Sequence, residues 1–135
     1  MSATVADPAT KLRVEIDDEL RRDPTLLRDV ELATADFREV FQGLPEDPRW
    51  SKPFLRWRRS KSHPDFALVE FTEEHSEEGR YARSYEFPMR RLHDPVMRGS
   101  CMTPLYFKVS KQRSDILHKE MRRLIDEIES EEAGG

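Results

Sequence analysis

Between Arg49 and Pro64 the chain reads Arg-Trp-Ser-Lys-Pro-Phe-Leu-Arg-Trp-Arg-Arg-Ser-Lys-Ser-His-Pro, with six Lys or Arg, two Trp, one Phe and no acid. Guanidinium groups offer planar, multi-donor forks and aromatic rings offer rigid contact area, so this pairing recurs where one macromolecule grips another. The candidate binding residues are Trp50, Arg56, Trp57, Arg58, Arg59 and Lys61. Three readings are open. The cations could contact phosphates while Trp50 or Trp57 stacks on a base. They could meet acidic groups of a protein partner around Trp anchors. Or Trp50, Phe54 and Trp57 belong to the core and the charges only solvate its outer face. The alternation Leu55-Arg56-Trp57-Arg58 supports a half-buried strand, which favours packing of at least one Trp.

Elsewhere the reactive side chains are scattered. Glu73-Glu74-His75-Ser76-Glu77-Glu78 is acidic enough to attract a cation, but it lacks EF-hand spacing and reads as a solvated hairpin tip. Asp65 and Glu70 are too close in sequence for a nuclease metal pair, and Thr72 stands where a lysine would be needed. His63, His93 and His118 are dispersed, and Ser100-Cys101 has no activating base beside it in sequence. There is no phosphate loop, dinucleotide-binding glycine pattern, His-Glu-x-x-His or paired-cysteine motif. The sequence therefore predicts a protein without catalytic residues, cofactor or metal.

The 135 residues suffice for one domain. With 36% hydrophobic and 37% charged residues, a compact core must sit under a heavily charged surface. The net charge of -4 is uneven: residues 1–48 carry -6, residues 49–64 carry +6, and the remainder is mildly acidic. An acidic body with one basic segment is not the pattern of a general duplex-DNA binder. The lone Cys101 excludes an internal disulfide, suits a reducing cytoplasm and is expected as a small buried hydrophobe. No apolar run approaches the ~20 residues of a membrane span, and Met1 to Lys11 lacks the features of a secretion signal. Arg outnumbers Lys 17 to 6 and Asn is absent, the usage of a GC-rich coding sequence such as that of a high-GC bacterium or its phage.

These residues need elements to hold them. Lys11 to Arg22 fits a helix through Leu12, Ile16 and Leu20, although Leu12, Val14 and Ile16 also alternate as in a strand; the poor strand material that follows favours helix. Asp23-Pro24 caps and starts a helix whose apolar stripe runs from Leu26 to Phe41, with Gly43 and Pro45 as the stop. Phe54 to Arg58 reads as extended. Phe66–Phe71 and Arg80–Phe87 read as strands paired across a long Thr72–Gly79 loop, and Leu105–Val109 as a further strand. Ser114 starts a final helix, with Ile116, Leu117, Met121, Leu124, Ile125 and Ile128 expected to face the core.

The expected fold is α+β: a small antiparallel sheet packed against two N-terminal helical segments and a C-terminal helix. Residues 11–129 form the single domain, with flexible tails at 1–10 and 130–135. The expected role is a non-catalytic, cytoplasmic protein-protein interaction or assembly subunit of a larger complex, such as a bacterial or phage assembly, using the basic-aromatic segment. Its partner is another protein or further copies of the chain, and not a membrane. The alternative is a small RNA- or DNA-contacting protein using the same segment.

Overall fold

Strict alternation of inward and outward residues builds the sheet, and helical stripes at three- and four-residue spacing cover one side of it. The computed structural model describes residues 12–134. The elements run β1 (Arg13–Ile16), α1 (Asp18–Arg21), α2 (Pro24–Gln42), β2 (Trp50–Arg59), β3 (Phe66–His75), β4 (Gly79–Pro88), α3 (Arg90–His93), α4 (Pro95–Cys101) and α5 (Thr103–Gly134). The strands lie in the order β1-β2-β3-β4. β1 is parallel to β2, and the other pairs are antiparallel. The fold is thus α+β, as expected, with a mixed rather than wholly antiparallel sheet.

The parallel edge arises from the first segment. Residues 13–16 are a strand, not a helix: Leu12 and Ile16 are buried, and Asp17 donates its backbone N–H to the carbonyl of Trp57 at 3.0 Å. Only Asp18–Arg21 then turns helical. Two parallel strands need a long crossover, and α2 supplies it. Asp23 caps α2, its Oδ1 accepting from the N–H groups of Thr25 (3.0 Å) and Leu26 (3.2 Å).

The core lies between the inner sheet face and the helices. Leu55 and Trp57 of β2, Ala67, Val69 and Phe71 of β3, and Phe87 of β4 meet Val30, Ala33, Phe37 and Phe41 of α2. Phe37 and Phe41 both pack on Phe71, with ring centroids 5.6 and 5.4 Å apart. Cys101 is buried, and desolvation pushes its thiol pKa up, as suits an inert packing residue.

Three further expectations are corrected. The β3–β4 connection is not a long loop: the strands continue to His75 and resume at Gly79, leaving a short turn in which Gly79 adopts φ 90°. That left-handed conformation suits glycine. Leu105–Val109 is not a strand but the start of α5, which begins eleven residues before Ser114. The helix also runs through residues 130–134, where a frayed tail was expected. The N-terminal tail expected at residues 1–10 lies outside the described residues.

The helical assignment of residues 105–109 is directly testable. In a strand Leu105, Phe107 and Val109 would share a face; in α5, Leu105 and Val109 are fully buried while Phe107 is 66% exposed. Leu105→Ala should therefore cost about 2–5 kcal/mol in urea unfolding, whereas Phe107→Ala should stay within about 0.5 kcal/mol of wild type. Similar losses for both would contradict the helix.

Candidate interaction surface

The basic-aromatic segment becomes β2, and strand geometry divides it. Trp57 points inward and is wholly buried. Its indole N–H donates to Thr34 Oγ1 at 2.9 Å, and the Thr34 hydroxyl in turn donates a hydrogen bond to the Val30 carbonyl at 2.8 Å. Trp57 is a core residue, not a surface anchor. Arg56 and Arg58 alternate with it and lie on the outer sheet face, where they meet carboxylates from elsewhere in the chain. Arg56 Nη2 lies 3.1 Å from Asp17 Oδ1, with Glu15 at the edge of reach. Arg58 Nε lies 3.0 Å from Glu70 Oε1, and Arg59 Nε 3.7 Å from Glu19 Oε2. Hydrogen bonding to Asp17 holds the Arg56 guanidinium still more firmly protonated. Lys61 is exposed on the turn after β2. The run lacks acids in sequence, but β1, α1 and β3 bring them in space.

Trp50, at the other end of β2, belongs to a different cluster. The inward alternation of β3 does not stop at Phe71; it continues to Glu73 and His75, both buried. Arg113 of α5 answers Glu73 with two bonds, Nε to Oε1 at 3.0 Å and Nη2 to Oε2 at 2.7 Å. Its guanidinium carbon sits 5.2 Å from the Phe41 ring and 5.4 Å from the Trp50 ring. His75 accepts at Nδ1 from the backbone N–H groups of Glu77 and Glu78, which assigns the ring proton to Nε2, 3.9 Å from Glu120 Oε1. Arg49 bridges Glu120 and Asp47, and Lys119 pairs with Glu78 at 2.6 Å. The Arg49 hydrogen bond lowers the Asp47 pKa, and Lys119 does the same for Glu78. The supposed solvated tip is therefore a polar clamp on α5. The signal was present in sequence as the period-two run Ala67, Val69, Phe71, Glu73, His75.

Beyond this clamp α5 leaves the body. Leu105, Val109, Gln112 and Ile116 are its last buried residues, and Glu120 is partly covered. The rest of the expected core stripe is not in the core: Leu117, Met121, Leu124, Ile125 and Ile128 are 46% to 57% exposed. Leu117, Met121, Leu124 and Ile128 follow a four-three-four spacing, which places them on one helix face, and Ile125 widens it. That face is rotated by roughly 120° from the docked stripe at 3.6 residues per turn.

No family model, curated protein or solved structure matches this chain. The chemistry of its surfaces must therefore indicate its role. Among the described residues, no group of three or more His, Cys, Asp or Glu could hold a metal ion, and no helix is long and apolar enough to cross a membrane. An apolar cleft lined by Phe37, Val40, Met102 and Tyr106 encloses about 140 Å³, and a wider, open one of about 510 Å³ lies over Glu15, Asp17, Asp18, Glu19 and Arg21, beside the carboxylates that pair with Arg56 and Arg59.

Two measurements probe the clamp. Glu73→Leu leaves Arg113 without its carboxylate and should cost about 3–5 kcal/mol, while adding Arg113→Met should recover most of that loss. Equal destabilisation of single and double variants would contradict the pairing. Because the pKa values of Asp47 and Glu78 are depressed in the folded state, their contribution is present above the ordinary carboxylate range and lost as pH falls below ~4. Stability of Asp47→Asn should accordingly fall less on acidification from pH 6 to ~3 than that of wild type, measured by urea unfolding at each pH.

Proposed function

We propose that this chain is a non-catalytic, cytoplasmic interaction subunit that joins a larger assembly through the free half of α5. The observation carrying this reading is the exposed stripe Leu117, Met121, Leu124, Ile125 and Ile128. An amphipathic helix whose apolar face meets only water is the usual form of a helix-in-groove or helix-pairing element. Isolated exposed apolar residues need no explanation, but a contiguous row does.

The basic-aromatic strand is the weaker contact surface. Trp57 is unavailable inside the core, and Arg56, Arg58 and Arg59 each already face a carboxylate. The same pairing weighs against nucleic acid, since an approaching phosphate meets Asp17, Glu19 and Glu70 beside each cation. Lys61 alone among the cations at the end of this segment lies near no carboxylate within ion-pair distance among the described contacts, too little for a phosphate track.

The test compares two surfaces in the intact chain, recovered from its native source at moderate salt. Leu124→Glu with Ile128→Glu should shift the chain from its larger complex to the monomer by size exclusion with light scattering, with an unchanged melting temperature of the body. Arg58→Glu with Arg59→Glu should leave the complex in place. Retention of the complex by the α5 variant would overturn the reading, and its loss in the β2 variant alone would move the contact to the outer sheet face.

A further inference from the structure

We propose that the free edge of β4 accepts an extended, acidic segment of a partner protein as a further strand of the sheet, a contact separate from the α5 stripe. β4 ends the strand order β1-β2-β3-β4, so one side of it has no neighbouring strand. The register shows which backbone groups face that side. Met89 donates its N–H to the Asp65 carbonyl at 2.9 Å, continuing the pairs Phe66↔Pro88 and Ala67↔Phe87. Antiparallel bonding alternates along a strand, so Phe87, Tyr85, Arg83 and Tyr81 turn their N–H and C=O groups toward β3. Arg80, Ala82, Ser84 and Glu86 turn theirs outward. The β2–β3 ladder agrees: Ser60 bonds the Phe66 carbonyl, which leaves the odd-numbered residues of β3 to face β4. Arg80, Ala82, Arg83 and Ser84 are all exposed. Among the described residues, none of the four outward N–H groups has a side-chain partner.

Two of the outward carbonyls do have partners, and both partners are cations. Arg83 Nη1 donates to the Ala82 carbonyl at 3.0 Å. Lys108 of α5 donates to the Ser84 carbonyl at 2.8 Å, with its ammonium 5.6 Å from the centre of the Tyr85 ring. Neither cation has a carboxylate within ion-pair distance among the described residues. Arg80 lies opposite Glu74, which Lys52 already engages at 3.3 Å. Glu86, the one carboxylate of β4, sits near its far end on the outer face. This pattern selects the occupant. A nucleic acid would meet the cations but leave the row of N–H and C=O groups unanswered, whereas a polypeptide strand answers both. A second copy pairing β4 with β4 about Arg83 would bring two Arg83 and two Lys108 side chains together, which is repulsive. A strand with carboxylates on alternate residues fits. Its N–H groups take the Ala82 and Ser84 carbonyls, about 6.8 Å apart, and the released Arg83 and Lys108 turn to carboxylates two residues apart. The cations that guard the edge against neutral strands thus admit an acidic one.

The probe is a fluorescently labelled peptide of alternating Thr and Glu, about eight residues long and so able to span Arg80 to Glu86. Titrated with the purified full chain, its anisotropy should saturate below ~1 mM. The same peptide with Gln in place of Glu should bind at least ~10-fold more weakly. Arg83→Glu with Lys108→Glu should weaken binding of the Glu peptide at least ~10-fold, at an unchanged melting temperature because both side chains are exposed. Ala82→Pro keeps every charge and removes one outward N–H, a change an edge strand tolerates on its unpaired side; it should weaken binding comparably. N-methylation of alternate peptide amides, in one of its two phases, should do the same on the unaltered protein. Four results overturn the proposal: no saturation by ~1 mM, equal binding of the Gln peptide, indifference to the double charge reversal, or tighter binding of an oligouridylate of equal length. Indifference to both Ala82→Pro and N-methylation also overturns it, since ionic attraction alone would then hold the peptide.

Discussion

The bidentate pair between Glu73 and Arg113 is the contact on which the arrangement of the molecule turns. An inward-facing carboxylate on a central strand is untenable unless a cation reaches it. Arg113 does so from α5, and its guanidinium lies against the rings of Phe41 and Trp50. One side chain therefore ties together β3, α2, β2 and α5. A buried ion pair contributes little net stability over an apolar replacement. What it does contribute is position: α5 can slide neither up nor down the sheet without stranding a charge. The Lys119–Glu78 and Arg49–Glu120 pairs extend the same clamp by two turns.

The clamp also sets where the helix becomes free. α5 has 32 residues, about 48 Å at 1.5 Å per residue. The body covers only its first half, so the second half must be held by its own backbone hydrogen bonds or by whatever packs on its apolar face. Helical segments without tertiary packing are marginal in water when short, and an apolar stripe along one side leaves burial of this segment incomplete. One continuous helix that outlasts its sheet thus has a docked first half and a second half whose apolar face the rest of the described chain leaves exposed.

The sheet shows the complementary behaviour. Its inner face is apolar as far as Glu73 and His75, and its outer face carries Arg and Glu pairs across neighbouring strands, Arg56 opposite Glu70 and Arg80 opposite Glu74. Such cross-strand pairs keep an open face solvated without making it sticky. A segment that carries +6 in sequence thereby becomes locally near neutral, and the basic patch dissolves into the sheet.

Much of the fold was legible in the chain. The Asp23-Pro24 cap, the α2 stripe, the half-buried alternation around Trp57 and the pairing of β3 with β4 all follow from local rules: capping geometry, a 3.6-residue period and a two-residue period. Residues 13–16 and 105–109 were misread because short apolar runs satisfy both periods, and only the availability of β2 as a parallel neighbour, or of space on the sheet for α5, decides between them. Periodicity also identified the Leu117–Ile128 stripe but not its surroundings, since an amphipathic face states that something must cover it and never what. The acidity of Glu73 and the basicity of Arg113 are visible in sequence; that they cancel 40 residues apart is not. Sequence alone thus determined which faces are apolar and where α2 starts. The tertiary structure decided which charges meet and which apolar face is left uncovered, because both depend on distances between segments that no local pattern encodes.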